Sequence, residues 1–218
     1  MIEALVFDFD GLILDTEGPV FHAWREAFEA HGCSLTMADW AAEVGTSGAI
    51  DLVAVLQQRA VRAVDVEAMH TERRVRRDEL LANETVRPGV TQWIDRAHAL
   101  GMPIAVASSS PDDWVHTHLD RLGLRGRFAA IICCGAGIAG KPEPDTYLAA
   151  TAAIGVKPAH ALAIEDSPHG ITAAQRAGLR CIAVPNAITK QLDVSHADLH
   201  LESLASASLD EVFERLGP

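Results

Sequence analysis

The sequence predicts an α/β protein in which a doubly wound parallel sheet carries an inserted helical block. Three observations predict this. Short apolar runs recur along the chain, each followed by a stretch of helical periodicity. The runs are nearly continuous in apolar character rather than alternating, as strands covered on both faces require. One long interval, residues 16–84, holds helical patterns and no strand-like run. Alternating strands and helices joined by short crossovers give a parallel sheet with helices on both faces.

The first strand is "ALVF" (4–7). After it, Phe21, Trp24 and Phe28 share one helical face, Leu52, Val53 and Leu56 share another, and Val66, Met69 and Val75 form a looser third. The chain re-enters the alternating pattern at "RPGV" (87–90). Residues 1–15 and 85–218 are therefore expected to form the α/β core, and 16–84 a helical cap domain over the carboxyl edge of the sheet, where such folds bind ligands. The remaining strands are "PIAVAS" (103–108), "AAIICC" (129–134), "ALAIE" (161–165) and "RCIAVP" (180–185), with "DLHL" (198–201) as an edge. Helices are expected over 111–122, 144–153 and 168–177. Leu100-Gly101, Leu122-Gly123 and Ala177-Gly178 place glycine where helices end.

Composition narrows the function. A chain of 218 residues suits one compact domain with a smaller inserted one, and its core is large enough to need no covalent staples. The net charge of -12 argues against nucleic acid, whose phosphates recruit basic surfaces. It leaves room for a small anionic substrate, which responds to local charge and is helped by a bound cation. Cys33, Cys133, Cys134 and Cys181 show no paired metal-binding spacing and read as buried thiols. With no signal peptide and no apolar span of membrane length, the expected setting is the reducing cytoplasm, away from membranes. With no visible coiled coil or edge signature the sequence leaves the oligomeric state open, and the expectation taken is a monomer or weak dimer.

The polar residues converge at strand ends. The first strand delivers Asp8 and Asp10, the second delivers Ser108 with Ser109 behind it, and the fourth delivers Glu165 and Asp166. Lys141, in "AGKPEPD", occupies the loop after the third. In a parallel sheet all carboxyl ends lie on one edge. Asp8 and Asp10 are two apart, so on extended chain they face one side while Phe9 faces the other. With Asp166 beside them they cannot all stay ionised unaided, since the repulsion at about 4 Å amounts to several kcal/mol at a protein-like dielectric. Mg²⁺ resolves this, because it takes one or two carboxylates together with phosphate oxygen and water. Asp8, Asp10 and Asp166 are the candidate metal groups, with Glu165 behind them. Lys141, Ser108 and Ser109 are candidates to hold phosphate.

"DFDGLILDTE", "ASSS", "GKPEPD" and "IEDSPHGITAAQRAG" together resemble the four motifs of the haloacid dehalogenase superfamily, closest to its β-phosphoglucomutase-like phosphatase branch with a small helical cap. The resemblance covers nearly the whole chain. It implies aspartyl-phosphate chemistry, with Asp8 as nucleophile, Asp10 as general acid/base, Ser108 and Lys141 as phosphate anchors, and Glu165 and Asp166 at the metal end. Asp10 weighs against haloalkanoic acid dehalogenation, which needs no acid at this place.

A phosphatase is favoured over a mutase. The mutases of this branch carry a cap histidine where Val20 stands, and a lysine and an arginine where Val44 and Gly48 stand. His22, two residues along a helix, is rotated by about 200° and faces away. The expected substrate is a small phosphorylated metabolite, such as a sugar phosphate or nucleotide-like monoester. Glu17, Gly45, Thr46 and Ser47 are the expected cap contacts, and the lack of positive charge there points to a neutral, hydroxyl-rich leaving group. A mutase and a catalytically idle binding protein are the alternatives; the idle protein is disfavoured because every catalytic residue type is present. "ERRVRR" (72–77) reads as a solvated face. Trp24, Trp40, Trp93 and Trp114 are expected to pack cap and core, and "GAGIAG" (135–140) to let the Lys141 loop approach phosphate.

Overall fold

The computed structural model describes residues 1–44, 51–135 and 137–217, with backbone alone for 41–44. Six strands form one sheet: β1 (Ala4–Phe7), β2 (Ile104–Ala107), β3 (Ala130–Ile132), β4 (Ala161–Glu165), β5 (Arg180–Ala183) and β6 (Leu199–His200). Their order is β3-β2-β1-β4-β5-β6, and every pairing is parallel. β1 lies between β2 and β4, with Val6 opposite Ala105 on one side and Ala163 on the other. The chain winds outward from β1 in both directions, which puts the topological switch point at its carboxyl end.

Between β1 and β2 the chain forms α1 (Glu17–Ala30), α2 (Met37–Val44), α3 (Leu52–Arg59), α4 (Val66–Leu81) and α5 (Val90–Ala99). The first four build a hydrophobic cluster of their own around Phe21, Trp24, Phe28, Leu56 and Met69. Asp51 and Asp65 start α3 and α4 by accepting backbone N–H bonds, as N-cap carboxylates do. Leu81, the last residue of α4, belongs instead to the core under the sheet, so the helix is tied to the α/β unit at that end.

The two faces of the sheet differ in side-chain size. Leu5, Phe7, Ile104, Val106, Leu162, Ile164 and Ile182 fill one face, against α5, α6 (Asp112–Arg121) and α9 (Leu209–Leu216). Ala4, Val6, Ala105, Ala107, Ala161, Ala163, Cys181 and Ala183 line the other. The period of two along each strand sorts them in this way. Small side chains on the second face allow α7 (Asp145–Ala153) and α8 (Pro168–Arg176) to pack close, through Tyr147, Ala150, Ala173 and Ala174.

Four strands are shorter than expected: β2 and β5 lose two residues each, and the edge strands β3 and β6 lose half their length. β3 spans three residues rather than the six of "AAIICC", and its side chains are half-buried. It is an edge strand with a neighbour on one side only, and the chain beyond it turns into the Lys141 loop. β6 is the opposite edge and keeps only two residues. Among the described residues no helix is long and apolar enough to cross a membrane. All four cysteines are free, with Cys133 and Cys181 buried and Cys33 and Cys134 half-buried.

Phe28 is fully buried at the centre of the inserted helices. Phe28→Ala is expected to lower unfolding free energy by about 3–5 kcal/mol, the usual cost of emptying an aromatic core site, as measured by urea denaturation. A loss below about 1 kcal/mol would show that this cluster contributes little to the fold.

Candidate active site

The carboxyl ends of β1, β2 and β4 converge because their hydrogen-bond ladders continue one residue beyond the strands. The Asp8 N–H donates to the Ile164 carbonyl at 2.9 Å, and the Ser108 N–H to the Ile132 carbonyl at 2.9 Å. Asp8 extends the row Ala4–Val6, and Glu165 extends the row Ala161–Ala163. Both therefore lie toward the small-residue face, where Tyr147 and α8 wait.

Glu165 is fully buried and saturated. Its Oε1 accepts from Lys141 Nζ at 2.5 Å and from the Tyr147 hydroxyl at 2.6 Å. Its Oε2 accepts from the Asp166 N–H at 3.1 Å, the Ser167 N–H at 3.4 Å and the Ser167 hydroxyl at 3.3 Å. Gly170 makes room for this carboxylate at the start of α8, because a Cβ there would stand 1.9–2.0 Å from its atoms. Lys141 Nζ also donates to Asp8 Oδ1, so one buried ammonium bridges two carboxylates. Burial works against the charge on Lys141, yet Asp8 and Glu165 outweigh it and raise the lysine above its ordinary range.

Asp166 is held from the other side. Its Oδ2 accepts from Asn186 Nδ2 at 2.7 Å and from the Thr189 hydroxyl at 3.3 Å. Gly11, at φ +82°, turns the chain directly against it, and a Cβ there would lie 2.4 Å from Asp166 Oδ2. Arg87 fixes that turn from behind, donating to the carbonyls of Gly11, Val184 and Pro185.

Asp8, Glu165 and Asp166 each offer an oxygen within 4.8 Å of the others, and all three residues are buried. Burial raises the Asp8 carboxyl well above the usual range, with Lys141 opposing and Glu165 and Asp10 adding to the rise. Burial likewise raises Asp166, and Asp8 and Glu165 push it further. Hard oxygen donors with more negative charge than one lysine balances are the donor set of a small divalent cation, and the cluster fits such an ion.

The Asp10 carboxylate takes no part in that cluster, contrary to the expectation that it joins Asp8 at the metal. Its oxygens are taken up instead by donors from the turn after β2 and from α6. Asp10 Oδ2 accepts from the Ser110 hydroxyl at 2.7 Å and the Ser108 hydroxyl at 3.3 Å, and Oδ1 accepts from the Trp114 indole N–H at 2.8 Å.

Asp8, Asp10, Lys141 and Asp166 all line a cavity of about 590 Å³, in the ordinary range for a small-molecule site. Ser109 and Ser110 line it too. Ser108 does not: it is fully buried, and its hydroxyl also accepts from the Ser110 N–H at 3.0 Å, bracing the turn from beneath. Ser109 accepts from the Lys141 N–H at 2.9 Å and so ties the two loops together.

Thr16, Glu17, Val20 and Arg77 close the cavity from the inserted segment. The Thr16 hydroxyl is buried without a partner among the described residues. Val20 faces the cavity while His22 is exposed. The expected contacts Gly45, Thr46 and Ser47 lie outside the described residues, as does Gly48.

Two expectations need correcting. Arg77 of "ERRVRR" is not on a solvated face: it reaches the cavity and stacks over the Trp114 ring at 5.0 Å. The inserted segment therefore does bring positive charge to the site, beside Asp78, its partner at 2.7 Å. Trp114 packs against the core and meets an inserted helix through Arg77, as expected, but unlike Trp93, whose indole N–H donates to the Leu204 and Ala207 carbonyls, it turns its N–H to the site. Asn186, Thr189 and Ser110 were missed. Asn186 carried a signal, since it follows a strand end in "AVPN"; Thr189 carried none.

Comparison with known proteins agrees with this geometry. A family model described as haloacid dehalogenase-like hydrolase matches residues 2–178. The chain is 39% identical over 216 residues to the Bacillus subtilis (strain 168) protein YhcW, named as a candidate phosphatase, covering 99% of this chain and 98% of that one. It is 29% identical to a phosphorylated carbohydrates phosphatase of Thermotoga maritima, covering 83% and 84%. Among solved structures, CbbY from Rhodobacter sphaeroides in complex with phosphate superposes with a TM-score of 0.76 at 30% identity, covering 96% of this chain and 98% of that one. A variant of CbbY is known in complex with xylulose-(1,5)bisphosphate.

The raised Asp8 and Asp166 carboxyls set a stability prediction. Between the ordinary carboxylate range and the raised one, the folded state binds more protons than the unfolded state, so stability of the metal-free protein falls as pH rises through that window. At pH 8, Asp166→Asn is expected to raise the melting temperature of metal-free protein by about 2–4 °C, equivalent to about 1 kcal/mol at this chain length. Millimolar Mg²⁺ should stabilise the wild type in calorimetry and leave the variant unchanged. A variant less stable than metal-free wild type would contradict this account.

Proposed function

The chain belongs to the haloacid dehalogenase-like hydrolases and acts on phosphoric monoesters, and we propose that it does so through an aspartyl phosphate formed on Asp8, with Mg²⁺ as cofactor. The observation that carries this reading is the division of the two aspartates of "DFD". Asp8 is gripped by Lys141 within the acidic cluster, and Asp10 is turned to the serines and Trp114, yet both line one cavity.

Asp8 is the nucleophile that attacks phosphorus. Its bridge to Lys141 opposes the protonation that burial favours, and a metal beside it would favour the reactive, ionised form further. Lys141 and Ser109 bear on the equatorial phosphoryl oxygens, whose charge stabilisation dominates phosphoryl transfer. Asp10 gives a proton to the leaving oxygen, then takes one from the water that hydrolyses the aspartyl phosphate. Asp8 and Asp166 would hold the metal, which supplies charge neutralisation at the phosphoryl group. Glu165 fixes Lys141 and so sets the charge balance of the site.

The proposed substrate is a sugar phosphate or nucleotide-like monoester. CbbY in complex with a sugar bisphosphate and the Thermotoga maritima carbohydrate phosphatase support that class. Hydrolysis is favoured over a mutase reaction because Val20, which cannot hold or relay a proton, faces the cavity while His22 is exposed.

Asp8→Asn is expected to abolish p-nitrophenyl phosphate turnover, by more than about 10⁴-fold, with the wild-type rate depending on Mg²⁺. Acid-quenched wild type should carry a hydroxylamine-labile phosphate that the variant lacks; substantial activity in the variant would refute the covalent scheme. Offered a sugar monophosphate primed with its bisphosphate, the enzyme should release inorganic phosphate. Isomerised monophosphate as main product would favour the mutase.

A further inference from the structure

Trp114 stands at a junction that the proposed chemistry leaves without a role. It sits in the first turn of α6, six residues after Ser108, and lines the cavity through a half-buried ring. Its indole N–H donates to Asp10 Oδ1 at 2.8 Å, while the two serine hydroxyls donate to Oδ2. The serines belong to the turn after β2, so they fix one oxygen of the carboxylate. Rotation about that oxygen is stopped by the indole.

The indole is itself held from two sides. His118, one helical turn further along α6, meets it edge to face with ring centroids 4.4 Å apart. The Arg77 guanidinium, from α4 of the inserted helices, lies 5.0 Å from the ring centroid, within the range of a cation–π contact. Arg77 is steadied in turn by Asp78 at 2.7 Å. A continuous chain of contacts thus runs from an inserted helix, through an aromatic ring, to a carboxylate facing the cavity.

We propose that Trp114 is a positioning residue that aims the Asp10 carboxylate, and that Arg77 links this aim to the seating of helix α4. The inference rests on the reading of Asp10 as general acid. It gives the indole N–H a task that an apolar wall would not have: it holds Oδ1 so that the carboxyl presents itself to the leaving oxygen in one orientation. Loss of the Arg77 contact would remove one restraint on the ring and so loosen the third restraint on Asp10.

The test separates orientation of the acid from binding and from folding. Single-turnover phosphorylation of the Mg²⁺-loaded enzyme is measured with an alkyl phosphate, whose leaving oxygen needs a proton, and with p-nitrophenyl phosphate, whose leaving group does not. Trp114→Phe keeps the aromatic surface and removes the donor. It is expected to slow the alkyl ester about tenfold, a fraction of the usual general-acid contribution, and to change the p-nitrophenyl ester less than about twofold. The preserved rate on the activated ester shows that the variant is folded. Arg77→Gln should give the same pattern at smaller size.

Asp10→Asn tells the two readings apart. It should show the same dependence on leaving group, at about 10²-fold or more. Equal slowing of both esters by Asp10→Asn would overturn the acid reading itself. If Asp10→Asn discriminates between the esters and Trp114→Phe does not, the role given to Trp114 is wrong. Wild-type selectivity in Arg77→Gln would overturn the link to α4.

Discussion

The bridge of Lys141 between Asp8 and Glu165 is the interaction on which the rest of the site depends. Three buried carboxylates within reach of one another would protonate or force the strand ends apart if left alone. One ammonium, itself buried, reduces that repulsion enough for the sheet to close around it. Its reach explains the surroundings. Tyr147 and the start of α8 saturate Glu165, so Glu165 stays fixed and Lys141 is drawn inward. Gly170 is small because Glu165 occupies the space over it, and Gly11 is small because Asp166 occupies the space beside it.

The residual negative charge makes the site both costly and selective. A cluster that protein groups only partly neutralise holds free energy that a bound divalent cation would release. Asp10 still bears on Asp8 through its charge, yet its own oxygens are held by a separate set of donors, two serines and Trp114. Two neighbouring carboxylates thus acquire different surroundings within three residues.

Much of this was legible in the sequence. The order of strands and helices, and the convergence of Asp8, Ser109, Lys141 and Asp166 on one edge, follow from apolar periodicity and from the rule that parallel strands end together. What periodicity reports is the identity of an element, and it says little about contacts made across the fold. The inward turn of Ser108, the donors to Asp166 from Asn186 and Thr189, and the reach of Arg77 to Trp114 all join segments far apart in sequence. Trp114 looked like core because aromatic residues usually are, and only the position of Asp10 makes its indole N–H matter. The edge strands came out short for a related reason, since an apolar run does not reveal on how many sides it will find a neighbour.

The alanine-lined face of the sheet has a consequence beyond packing. Glu165 stands at the end of the row Ala161–Ala163, and Tyr147 reaches it from a helix resting on the small side chains of the neighbouring strands β1, β2 and β3. The thickness of that layer is therefore a mechanical gauge: it sets how far the tyrosine hydroxyl and the lysine stand from the carboxylate. Enlarging a side chain there would lift a helix by a fraction of an ångström and detune a charge balance at the far end of the strand. Residues that never meet substrate thus hold the calibration of the site, and drift at the rear of the sheet would be felt at its catalytic edge.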